Sequence, residues 1–273
     1  MKKIFETCFV LLPLTFGCFV AIIHCVHQCI AYNDIYTMIM DSMAQGKDYI
    51  INPCFPIYSV YNLWIGNDGE SQYAIILFWG IPLLSYISLG CMCNIKNTNE
   101  FLYLSNPRNY LSNYAKVFIW SGSMIGIPLL VNFLGMTLFI PSFTPDSIYD
   151  IYYRIFSNDF LSNCFYCKPL LYVIFFIVLD FVFYGLFGAV CLTLRTFTKL
   201  RILPFISPVL IMTVIEGFKR IMFPNLGVDL SPLSFLFPAH SHNANIIIIC
   251  TEMAILLFFT LIMPITRGED NES

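Results

Sequence analysis

Charge is scarce in this chain. Only 11 % of its 273 residues are Asp, Glu, Lys or Arg, against roughly 25 % in an average soluble domain. That scarcity excludes an ordinary water-soluble fold. The net charge of -3 does not suggest a nucleic-acid partner, and none is expected. The chain has no Gly-x-x-x-x-Gly-Lys-Ser/Thr phosphate loop, so it carries no such nucleotide site of its own. It also has no His-Glu-x-x-His, paired-Glu or Gly-x-Ser-x-Gly pattern, the ligand and acid-base sets of intramembrane proteases and hydrolases. No repeat or low-complexity stretch is present.

What is abundant is apolar. Hydrophobic residues make up 58 % of the chain and mean hydropathy is +0.74. The charges leave clear windows of about 20 residues, the length that crosses a hydrocarbon core. The expected fold is therefore all-α: a polytopic integral membrane protein with six transmembrane helices in one domain, 1–273. The spans are predicted at about 4–30, 73–93, 114–139, 169–194, 202–222 and 245–265. The first follows Lys2 and Lys3 and is read as an uncleaved span, because no small-residue cleavage site closes it.

Lys and Arg density sets the orientation. Lys2, Lys3, Lys96, Arg108, Lys116, Arg195, Lys199, Arg201 and Arg267 fall on one side. Only Lys47, Arg154, Lys168, Lys219 and Arg220 fall on the other, which has the longer loops. Both termini are thus predicted in the cytoplasm of a cell membrane, with outer loops at 31–72, 141–168 and 223–244. The first loop is rich in Tyr and Trp and is expected to lie at the interface. The third, rich in Pro, Phe and His, is expected to dip into the bilayer as half-helices.

The eleven Cys do not read as a disulfide framework, because most sit within or beside apolar runs. Cys164-Phe-Tyr-Cys167 has metal or redox spacing but stands alone, and a structural site takes about four ligands. His24 and His27 share a face of the first span, and His240 and His242 lie in the third outer loop; all are read as interfacial polar residues. Asp180, Glu216 and Glu252 fall inside predicted spans, where a carboxylate is costly and becomes a functional candidate. Glu216 can pair with Lys219 or Arg220 at helical spacing. The plain reading of each acid is packing and hydrogen bonding between helices.

The polar stretch 94–116 interrupts the basic side. Thr98 or Asn99 can cap a short helix carrying Glu100, Phe101, Leu102 and Leu104. Asn106-Pro107 then reads as the cap and first residue of the next helix, which carries Arg108, Tyr110 and Lys116 into the third span.

Leu102-Tyr-Leu-Ser-Asn-Pro-Arg-Asn-Tyr-Leu-Ser-Asn-Tyr-Ala-Lys-Val-Phe118 resembles the loop between the second and third spans of type-2 ABC transporter permeases. Further segments resemble the bacterial, Firmicute-like members of that family in the same order. They are Pro56 to Gly66, Ile81-Pro-Leu-Leu84, Gly126 to Phe133, Leu179 to Phe187 and Leu230-Ser-Pro-Leu-Ser-Phe235. The resemblance covers about residues 50 to 265. It implies a short cytoplasmic coupling helix that docks on an ABC ATPase subunit, with Glu100, Phe101, Leu102, Leu104, Arg108, Tyr110 and Lys116 as the coupling set. ATP and Mg would be bound by that partner, with no cofactor, metal or catalytic residue in this chain. The implied function is the permease of an exporter for an amphipathic cargo such as a peptide, lipid or antibiotic, working as a homodimer or with a second permease among membrane lipids. The competing readings are a membrane-embedded enzyme, either an intramembrane protease or a lipid-modifying transferase, and a non-transporting sensor or immunity protein.

Overall fold

The computed structural model describes residues 2–44, 59–67, 72–93, 107–197, 203–222 and 227–262. Among them the structure is all-helical, with no strand. The long helices are α1, Lys2–Ala44; α3, made of Gln72–Ile75, a π-helical piece Ile76–Gly80 and Ile81–Cys93; and α4, Pro107–Thr137. They are followed by α7, Pro169–Phe197, and α8, Leu203–Met222. α10 is Ile246–Leu257 continued by π-helical Phe258–Ile262. Between them lie the short helices α2 (Val60–Leu63), α5 (Asp150–Tyr153), α6 (Ser162–Cys167) and α9 (Pro232–Phe235).

Among the described residues four stretches are long and apolar enough to cross a membrane: Leu11–Thr37, Gln72–Leu89, Tyr110–Thr137 and Pro169–Arg195. They match the first four predicted spans. The other two predicted spans are helical but weaker as membrane crossers. α8 has the length but carries Glu216, Lys219 and Arg220. Ile246–Ile262 is apolar but short; at 1.5 Å per residue it is about 25 Å long, against a core of about 30 Å.

Boundaries follow local chemistry. α4 begins at Pro107, whose missing N–H costs nothing in a first turn. The Asn245 side chain accepts the Ile247 N–H and starts α10. α1 differs most from expectation: it continues to Ala44, beyond the predicted end at about 30. Residues 31–44 hold polar side chains but no Pro or Gly, so nothing there breaks the helix.

α4 and α7 form the densest pairing and run antiparallel. Gly122 of α4 meets Phe181 of α7, and Gly188 of α7 meets Ser121 of α4. A Cβ on Gly122 would lie 2.4 Å from the Phe181 carbonyl oxygen. Only a missing side chain lets the two backbones approach so closely, the usual role of small residues between membrane helices. α1 runs parallel to α4, with Gly17 against Pro128 and Gly135 against Cys25. α3 and α8 complete the bundle around α7.

One polar knot stands at the Pro169 end. The Asn132 amide donates to the Ala21 carbonyl at 2.8 Å, lies 3.0 Å from His24 Nδ1, and accepts the Ile65 N–H at 3.1 Å. Trp64 Nε1 donates to the Leu129 carbonyl. Trp64 and Tyr61 are therefore buried, and so is His24. They form a joint between α1, α4 and the segment 59–67, enclosed by protein. A turn stabilised by Ser59 and Asn62 presses these rings inward.

Candidate functional site

A proline shapes the helix beside the site. Phe78 sits in the π-helical turn of α3, where the Ile81 N–H bonds the Ile76 carbonyl five residues back. The α-helical donor for the Phe78 carbonyl would be residue 82, which is proline and has no N–H. Tyr184 of α7 supplies the missing donor: its hydroxyl donates to Phe78 O at 2.8 Å. Tyr86 returns the link, donating to the Tyr184 carbonyl at 3.3 Å. Such π turns recur at functional sites.

Beside this turn lies a cleft of ≈ 570 Å³, within the size range of small-molecule sites. One wall is aromatic, from Phe78, Trp79, Tyr184 and Phe237. The opposite wall is the last turn of α8, with Glu216, Lys219 and Arg220. The floor is the broken segment 229–243, where Ser231 caps α9 and Pro238 opens a second, single-turn helix to His240. Apolar packing seats this segment among the long helices: Phe235 meets Phe183 with centroids 5.2 Å apart, and Phe237 meets Phe78 at 4.6 Å. The His240 ring stacks on Phe237.

Both ends of the segment are pinned. Ser231 Oγ donates to the Met212 carbonyl on α8. At the far end His242 Nδ1 lies 2.8 Å from Asp159, and the Phe160 N–H donates to the His242 carbonyl.

The cleft holds two ion pairs. Lys219 Nζ bonds Asp229 Oδ1 at 2.7 Å, and Arg220 Nε bonds Glu216 Oε1 at 2.7 Å. The remaining carboxylate oxygens are also engaged: Ser234 Oγ donates to Glu216 Oε2, and the Asn243 N–H donates to Asp229 Oδ2. Arg220 is largely exposed, its side chain at 78 %.

The sequence-derived candidates are scattered. Glu100, Phe101, Leu102 and Leu104 lie outside the described residues. Arg108 is on the first turn of α4, and Lys116 is exposed two turns further along. Tyr110 is buried between helices: its hydroxyl donates to the Thr260 carbonyl at 2.5 Å and shares a 2.9 Å bond with Thr193 Oγ1. Asp180 is fully buried on α7, and neither carboxylate oxygen has a hydrogen-bond partner. It lies one turn before Tyr184 and close enough to interact with it electrostatically. Glu216 is in the cleft and pairs with Arg220. Glu252 is half-buried on α10, away from the cleft lining.

Cys164 and Cys167 are free thiols on α6, and burial pushes the Cys164 thiol up. The histidines of the two regions do not converge: His24 and His27 face Tyr73. No cluster that could hold a metal occurs among the described residues. Sequence reasoning missed Tyr184, Ser234 and the Lys219–Asp229 pair. The usable signal was Pro82, whose position identifies Phe78 as the carbonyl in need of a donor. No known protein family, no curated protein and no solved structure matches this chain.

Proposed function

We propose that this chain is the membrane permease subunit of an ABC exporter, moving an amphipathic compound across the cytoplasmic membrane with energy from a separate ATPase. The observation that carries the reading is the broken segment 229–243, seated against α3, α7 and α8 and flooring a cleft with one aromatic and one charged wall. Irregular backbone at membrane depth is tolerated only where protein or a water-filled cavity surrounds it. The ordered resemblance of residues 50 to 265 to type-2 permeases supports the same reading.

In this proposal α8 and α10 are the fifth and sixth spans, and both termini face the cytoplasm. The 229–243 segment is a re-entrant element on the outer side. The contacts support alternating helix directions: Tyr110, near the start of α4, meets Thr193 and Thr260, near the ends of α7 and α10.

The ATPase would press on residues 97–105. Motion of α4 would reach α7 and α10 through Tyr110, which is a buried link between helices and not a docking surface. Arg108 and Lys116 lie on the same helix and would anchor its entry. Rigid elements joined in this way transmit a push as a shift of packed helices. A dimer, with itself or a second permease, would complete the path.

Affinity-tagged full-length chain, purified from its native membrane, should bring down an ABC ATPase. Glu100→Ala with Phe101→Ala should weaken that association about tenfold or uncouple hydrolysis. Recovery of the chain with no ATPase, together with unchanged behaviour of the double variant, would overturn the proposal.

A further inference from the structure

Beside His240 and Asn243 the cleft contains two carboxylates, a lysine and an arginine, and the open hydrogen-bonding capacity of these four charged groups is one-sided. Each of the four carboxylate oxygens of Glu216 and Asp229 already accepts a bond, from Arg220, Ser234, Lys219 and Asn243. The donors are not used up. A guanidinium has five N–H groups and an ammonium three. Among the described residues Arg220 commits only Nε–H, and Lys219 makes a single bond. The charge is balanced, and the surplus consists of donors. Such a site favours an acceptor-rich anion, and arginine suits phosphate through its planar fork.

The cleft also meets the apolar surface. Ile75 and Trp79, one turn apart on α3, line the cleft and are exposed at 56 % and 38 %. Val214, Phe218 and Ile221 on α8 are exposed as well. A ligand can therefore keep an acyl chain along this surface while its head reaches Arg220.

We infer that the cleft binds a phosphate-bearing lipid, head group on the open guanidinium face of Arg220 and chain against Trp79 and Phe237. This rests on the reading of the protein as a transport subunit only in making the cleft part of the cargo path; the binding itself is measured without an ATPase.

The probes are dodecyl phosphate, dodecylphosphocholine and inorganic phosphate, added to the full chain in a neutral detergent and read by tryptophan fluorescence and native mass spectrometry. Dodecyl phosphate should bind about tenfold more tightly than dodecylphosphocholine, whose choline masks part of the head-group charge. Arg220→Gln should abolish that preference, and Lys168→Gln, at the same end of the bundle, should retain it. Equal binding of the two amphiphiles, or a preference that survives Arg220→Gln, would overturn the inference. Inorganic phosphate binding as well as dodecyl phosphate would also overturn it, by making the site one for a free anion. Failure to co-purify an ATPase removes the transporter reading and leaves this result standing. Loss of the lipid preference with the ATPase present removes only the ligand.

Discussion

Two junctions in this protein are built on the same plan and do different work. Each has a π-helical turn whose central carbonyl lies four residues before a proline: Phe78 before Pro82, and Thr260 before Pro264. In each, a tyrosine from a neighbouring helix donates to that carbonyl: Tyr184 to Phe78 O and Tyr110 to Thr260 O. The surroundings differ. Tyr110 is locked by Thr193, and Tyr114 lies 3.4 Å from Thr260 Oγ1. Tyr184 lines the cleft. The same device makes a buried joint at one end of α7 and a cleft wall in its middle.

The largest disruption should come from parting α4 and α7, which together carry both tyrosines. Gly122→Val places atoms against the Phe181 backbone and should cost about 3 kcal/mol. Thermal unfolding in detergent should show a large drop in midpoint, and a wild-type midpoint would refute the close approach of the two backbones. Next, Tyr110→Phe should cost about 1.5 kcal/mol, the upper range for a hydrogen bond between membrane helices, because the stranded carbonyl is sealed from water. Tyr184→Phe should cost less, about 0.5 kcal/mol, because its hydroxyl makes one bond where that of Tyr110 makes two. If the two variants unfold alike, the contrast between the junctions is wrong.

A double-mutant cycle sharpens the role of proline. Pro82→Ala restores an N–H near the Phe78 carbonyl, so Tyr184→Phe should become nearly neutral in that background, a coupling of about 0.5 kcal/mol. Additive costs would mean that Pro82 does not create the need for Tyr184. The last test leaves stability unchanged. Cys167 is exposed, and burial pushes the Cys164 thiol up. A membrane-impermeant maleimide should label Cys167 first, and Cys164 more slowly with a rate that rises with pH as thiolate forms. Labelling from outside intact cells would assign the cleft junction to the outer half of the protein and the Tyr110 junction to the inner half. Protection there, with labelling only after permeabilisation, would invert the topology.

The apolar runs made the long helices legible, and the start signal at Asn106-Pro107 placed one boundary to within a residue. Apolar content could not show that α1 runs on to Ala44, because a polar sequence without breakers can be loop or helix. The burial of Trp64 was equally hidden. It depends on Leu129 and Asn132, far away in sequence, which composition alone does not bring to the ring. Part of the cleft was readable: Glu216 with Arg220 is an ordinary helical pair at i and i+4. Lys219 with Asp229 was not, because the chain must turn back between them.

The broken segment is fastened at Ser231 to α8 and at His242 to Asp159. In mechanical terms it is a beam fixed at both supports. It can bow, but it cannot swing aside like a door while both fastenings hold. Widening the cleft on this side therefore takes bowing of the segment between its two fastenings, or the loss of one of them.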